Sequence, residues 1–178
     1  MEADFDYEIT LVNEYGYASQ ELINTMLVGK SATNVHDGDK RMGDNSDDLV
    51  LKGIHKRSEI GFLTFYEHFG HFEVGDNYKK PILPIWIVCS ESHYSILFST
   101  NIGMASKNFT ANSPAFDLIY YDELARQADD IILTVEPGKY VPGGKRGLDG
   151  RIQKEHVIPI DSVIRTKWKE AKINWNGR

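Results

Sequence analysis

The sequence predicts an α+β domain in which helices come first and an antiparallel β meander follows. Three features carry that prediction. A capped amphipathic stretch lies near the N-terminus, two apolar runs sit either side of a short polar turn at mid-chain, and β-branched and aromatic runs continue towards the C-terminus. With 178 residues, 41% hydrophobic and 26% charged, there is enough chain for one domain with a real core. No internal repeat or long linker divides it.

In chain order, Ser19 is a fitting N-cap for a helix that places Leu22, Ile23, Met26 and Leu27 on one face, and Gly29 is its stop. Residues 36–48 read as an acidic loop, rich in Asp, Gly, Asn and Ser. Leu49-Val50-Leu51 is a short strand. A second helix is expected from Ser58 to Phe69, where Ile60, Phe62, Leu63, Phe65, Tyr66 and Phe69 wrap most of the circumference, as in a buried helix. Ile85–Cys89 and Tyr94–Phe98 form a hairpin whose first strand is apolar enough for burial on both faces. Phe116–Tyr121 and Ile131–Val135 add strands, and residues 138–150 a Gly-rich loop. Asp161–Trp168 is a short helix and Lys172–Trp175 a final strand.

Charge and composition exclude several function classes. Residues 1–48 hold 11 acidic and 3 basic side chains, so the overall net charge of −6 comes from the N-terminal quarter. An acidic balance argues against nucleic-acid binding, which draws its affinity from a basic surface. The first residues have neither a basic n-region nor an apolar run, and no stretch is apolar for long enough to cross a membrane. An intracellular protein, cytoplasmic or nuclear, is the expectation. One cysteine, Cys89, precludes an internal disulfide and a cysteine-rich zinc site.

Few residues then offer chemistry. Gly143-Gly144-Lys145 is not a P-loop, because Lys139 stands where the first glycine belongs and Arg146 where Ser or Thr should follow. His68 and His71, beside Glu67, could share a face and a metal, but no third ligand accompanies them, so neither a metal nor a cofactor is expected. Cys89 ends an apolar run with no glycine or helix N-terminus to activate its thiol. His93 lies four residues on, about 13 Å along an extended strand, so Cys89 reads as a buried structural cysteine. His93 itself opens a strand after the polar turn Ser90-Glu91-Ser92, where a rigid imidazole can face a cleft as general acid/base.

The block from Pro84 to Ser99, with Ser90-Glu91-Ser92-His93-Tyr94-Ser95 at its centre, resembles the signature around the catalytic histidine of MINDY-type deubiquitinases, nearest their longer, FAM-named branch. Gly53-Ile54 through Leu63, Glu67-His68-Phe69, Phe116-Asp117-Leu118, Tyr120-Tyr121-Asp122, Ile164–Trp168 and Asn174–Gly177 are similar to that branch in the same order, as are segments from Tyr15 to Val35. The resemblance implies a papain-like cysteine protease-type fold, present in part. Residues 1–178 would be the C-terminal portion of the catalytic domain, with His93 as its catalytic histidine. It also implies a thiol protease that removes ubiquitin from lysine-48-linked polyubiquitin, without metal or cofactor.

The family's nucleophile belongs to a Gly-Pro-Cys-like element preceded by a glutamine, which the 178 residues do not contain. Three explanations stand open: a fragment, a catalytically dead ubiquitin-binding remnant, or half of a split enzyme. Asn101, Asp117 and Asp122 are polar candidates for the group that orients His93. Asp117, in the middle of an apolar strand, is the most conspicuous.

Overall fold

The computed structural model describes residues 10–43, 49–105, 108–141 and 157–176. Helix α1 (Gln20–Val28) starts and stops where its caps direct. The Ser19 hydroxyl accepts from the Leu22 N–H, and Gly29 takes a left-handed φ of 71° while its N–H reaches the Thr25 carbonyl. Its buried face is more polar than its apolar spacing suggests. Ile23 and Asn24 are buried while Met26 is exposed. Asn24 donates to the carbonyls of Ala32 and Asn34 at 2.7 and 3.1 Å and accepts from the Tyr78 hydroxyl at 2.8 Å. A buried amide satisfied this fully ties α1 to two separate segments.

The segment expected as an acidic loop contains a short strand. Within it, β1 (Lys40–Met42) pairs antiparallel with β2 (Leu49–Leu51). Both oxygens of Asp37 accept backbone N–H groups, from Asp76 and Asn77, each at 2.9 Å, at the start of the one-turn helix α3 (Asp76–Lys79). Residues 44–48, like 142–150 of the Gly-rich loop, lie outside the described residues.

The helix expected from Ser58 to Phe69 is instead strand β3 (Gly61–Thr64) followed by the single turn α2 (Phe65–His68). Ser58 caps nothing there; its hydroxyl donates to the Asn77 carbonyl at 3.0 Å. The reason is burial. All four β3 residues are buried, and β3 runs parallel to β4 (Ile85–Ser90) with Gly61 opposite Trp86 and Leu63 opposite Val88. A strand covered on both faces is apolar at every position, so its pattern cannot be told from that of a buried helix.

From β4 onward the expected meander forms, each strand antiparallel to the next. The strands are β5 (His93–Phe98), β6 (Phe116–Tyr121), β7 (Ile131–Glu136) and β8 (Lys172–Trp175), in the spatial order β3-β4-β5-β6-β7-β8. Helix α4 (Pro159–Lys167) enters between β7 and β8, opened by a proline in its first turn. Together these elements make a mixed α+β fold.

Two apolar clusters flank the sheet. Trp86, Val88, Leu97, Leu118, Leu133 and Ile173 pack with Val163, Ile164 and Trp168 on one side. Phe62 and Cys89 pack with Ile23, Val74 and Tyr78 on the other.

Candidate functional site

The β4–β5 hairpin closes through a two-residue turn, with Ser90 paired to His93. Glu91 adopts a left-handed φ of 57°, a position that favours glycine. Side chains alternate across a sheet, so His93 shares a face with Ser95 and Leu97, and Cys89 shares the opposite face with Ile87. The turn does bring Cys89 and His93 near each other in register, so separation along an extended strand is not what keeps them from working as a pair. Facing settles the matter: Cys89 points into the Phe62–Tyr78 cluster. Burial pushes its thiol pKa up, outweighing hydrogen bonds with Tyr94 and Thr64. Such a thiol is a poor thiolate source.

His93 meets Asp122. Leu97 of β5 pairs with Tyr120 of β6, so Asp122, two residues on, projects from the face His93 occupies. The His93 Nε2 and the Asp122 Oδ1 lie 2.9 Å apart, with the side chains 37% and 16% exposed. The approach is oblique, at ion-pair distance without the alignment of a full hydrogen bond.

The carboxylate is well anchored. It accepts from the Leu124 N–H at 3.0 Å as cap of a short 3₁₀ turn, and from the Tyr120 hydroxyl at 3.3 Å. Burial works to raise the Asp122 pKa, yet His93, the Leu124 N–H and Tyr120 together hold it below the ordinary carboxylate value. Gln127 fixes the turn from behind. Its side-chain oxygen accepts from the Asp122 N–H at 2.6 Å, and its amide donates to the Tyr120 carbonyl at 3.0 Å.

The other two polar candidates are engaged elsewhere. Asn101 caps the 3₁₀ turn Ile102–Met104 by accepting from the Gly103 N–H at 3.0 Å. Asp117 accepts from the Thr134 hydroxyl at 2.7 Å across β6 and β7. His68 stacks flat on Phe65, with centroids 5.6 Å apart. Among the described residues, no three His, Cys, Asp or Glu side chains gather as a metal-ligand set, and no helix is long and apolar enough to cross a membrane. Sequence reasoning missed Gln127 and Tyr120. Nothing local marks Gln127, whereas a Tyr-Tyr-Asp strand end followed by a polar turn does point to Asp122 as a cap.

A His–carboxylate pair at the mouth of a sheet is found in many hydrolases, so geometry alone leaves the family open. The family profile described as "Deubiquitinating enzyme MINDY-3/4, conserved domain" matches residues 1–177. The chain belongs to the MINDY-3/4 family. The resemblance drawn from the Pro84–Ser99 block is thereby borne out.

Among its MINDY relatives, the chain is 44% identical over 177 residues to "Probable ubiquitin carboxyl-terminal hydrolase MINDY-4" of Bos taurus. It is 40% identical over 176 residues to the Homo sapiens protein of the same name. Each alignment covers 98% of this chain and 22% of the relative, so the chain spans about a fifth of the length of these relatives. "Ubiquitin carboxyl-terminal hydrolase MINDY-3" of Mus musculus is 39% identical over 92 residues, 52% of this chain and 20% of that protein. No solved structure matches.

Proposed function

We propose that residues 1–178 form the C-terminal part of a MINDY catalytic domain and supply the histidine half of a cysteine-type ubiquitin carboxyl-terminal hydrolase. The reaction would remove ubiquitin from lysine-48-linked polyubiquitin in a cytoplasmic or nuclear setting. The observation that carries this reading is the His93–Asp122 pair, 2.9 Å apart and held at the seam of β5 and β6. In thiol hydrolysis the imidazole takes the thiol proton and returns it to the leaving amine, while a carboxylate fixes the ring and stabilises the imidazolium. Asp122 fits that second part because its own turn and Tyr120 hold it in place. The nucleophile would come from the cysteine-bearing element that the family resemblance implies, since Cys89 is buried on the other face of the sheet.

The test is a fusion of a cysteine-bearing segment from a MINDY-4 relative to this chain, assayed on lysine-48-linked tetraubiquitin. His93→Ala should cut turnover at least about a hundredfold, the low end of what a positioned general acid/base contributes. Binding of the chain should barely change, because the histidine acts in the transition state. Substitution of His68 or His71 should leave turnover within a few-fold. Near-parental turnover in His93→Ala would end this reading, as would cleavage by the unfused chain that disappears in Cys89→Ala.

A further inference from the structure

The connection from β6 to β7, residues 122–130, starts beyond the last rung of their ladder, where Tyr120 stands opposite Ile131. Asp122 therefore lies outside the regular bonding of the sheet. The turn that follows it is bonded only within itself: the Ala125 N–H donates to the Asp122 carbonyl at 3.1 Å, and the Arg126 N–H to the Glu123 carbonyl at 3.4 Å. Residues 123–126 and 128–130 are all exposed, Leu124 at 77%, so none of them anchors the turn in the core.

Gln127 is the exception. It is half-buried, and both ends of its amide are engaged. Its Oε1 accepts from the Asp122 N–H at 2.6 Å and its Nε2 donates to the Tyr120 carbonyl at 3.0 Å. One side chain thus supplies the rung that a neighbouring strand would supply, on the stretch of backbone leading into Asp122. Arg126, just before it, holds a left-handed φ of 48°, a conformation that costs a residue with a β-carbon. That reversal is what lets Gln127 face back to β6.

The aim of the carboxylate depends on this turn. Asp122 Oδ1 stands 2.9 Å from the His93 Nε2 and also accepts from the Leu124 N–H at 3.0 Å. If the turn lifts from the sheet, the Leu124 donor leaves with it. The His93 Nε2 is buried and has no aligned hydrogen-bond partner among the described residues. Asp122 Oδ1, at ion-pair distance, is then the group that orients the imidazole.

We propose that Gln127 is a positioning residue for the His93–Asp122 pair: its amide clips the turn to β6 and so aims Asp122 Oδ1 at the imidazole. The consequence for catalysis rests on the hydrolase reading, whereas the positioning itself does not. A glutamine suits the task because it alone presents, at this length, a neutral donor and acceptor to two backbone groups of opposite kind.

Gln127→Met, of similar length but unable to make either bond, tests this in the 178-residue chain. The pH dependence of the Leu124 amide signal reports the ionisation of Asp122. Burial works to raise that carboxyl, but His93, the Leu124 N–H and Tyr120 together hold it below the ordinary value. In Gln127→Met the inflection should move up, and the Leu124 amide should exchange faster with solvent. The buried indole N–H of Trp86 should keep its protection, which shows that the core is intact. Ala125→Gly, which loosens the turn without touching Gln127, should leave the inflection in place. An unmoved inflection in Gln127→Met, or an equal move in Ala125→Gly, would overturn the proposal.

In the fusion with a cysteine-bearing segment, Gln127→Met should lower kcat on lysine-48-linked tetraubiquitin at least about tenfold, with KM within about twofold, as misaligned catalytic groups do. The two readings fail separately. Parental kcat in Gln127→Met beside an inactive His93→Ala would overturn the positioning and leave the hydrolase reading standing. A raised Asp122 inflection in Gln127→Met beside a His93→Ala that keeps its turnover would support the positioning and remove the hydrolase reading.

Discussion

The two ends of the six-stranded sheet are built to different rules. At the β3–β4 end both faces are covered: Leu63, Trp86 and Val88 pack towards α4, and Phe62 and Cys89 pack against Ile23, Val74 and Tyr78. Across β5–β7 only the α4 side is covered. On the other side Ile96 pairs with Tyr121 in register, and these two together with Ile132 remain 38%, 48% and 39% exposed. His93 and Asp122 stand where these regimes meet. His93 is anchored through the hairpin to the doubly covered strand β4, and Asp122 leaves the first strand beyond it. Both lie on the α4-side face, with Leu97 and Tyr120, so their partial exposure comes from their place at the strand ends and not from the uncovered face.

Large truncations should separate the halves most clearly. Trp86 is fully buried, edge-on to Trp168, and bonded through its indole to Lys79. Trp86→Ala should cost about 3–5 kcal/mol, the range for deleting a buried aromatic. Ile96→Thr, on the uncovered face, should cost less than ~1 kcal/mol. Urea unfolding of both variants with a shared slope measures the difference. Similar midpoints would mean that the face around Ile96 is covered in solution, and the contrast would fail.

A smaller effect should come from Gly61. A Cβ there would run into the Trp86 ring and the Tyr78 carbonyl, because β3 approaches its neighbours that closely. Gly61→Ala should cost about 1–3 kcal/mol, as overpacking does, whereas a methyl added at exposed Gly29 meets nothing within 4 Å and acts only through its left-handed φ of 71°. Equal unfolding midpoints for Gly61→Ala and the parent would show that β3 is less tightly packed than its burial indicates.

The same contrast explains what could be read from the sequence. The half-covered strands β5–β7 alternate or are bounded by polar turns, and their limits were legible to within a residue or two. So were α1, through Ser19 and Gly29, and β8. The doubly covered β3 was illegible because period, its only local signal, is erased when every residue is buried. His93 could be singled out by its turn and its family block. Asp122 could be named only among three candidates, because the choice depends on register: Leu97 opposite Tyr120 puts Asp122 on the face of His93, while Asp117 turns to Thr134. No single-strand pattern contains that information.

The smallest expected effect concerns the charge at the seam itself. Asp122→Asn keeps the shape and an oxygen for the Leu124 N–H but removes the negative charge beside His93. The folded-state pKa of Asp122 lies below the ordinary 3.8. Its contribution to stability is therefore present above that value and is lost as pH falls through the lower folded-state one. At neutral pH the variant should be less stable by ~0.2–1 kcal/mol, solvent screening included. The gap between parent and variant should narrow as pH drops below 3.8 and close once the carboxyl is protonated in both states. Urea midpoints of both proteins across that acid range provide the measurement. A gap that stays constant to the lowest pH would assign the role of Asp122 to shape and not to charge, leaving its fit to His93 without an electrostatic basis.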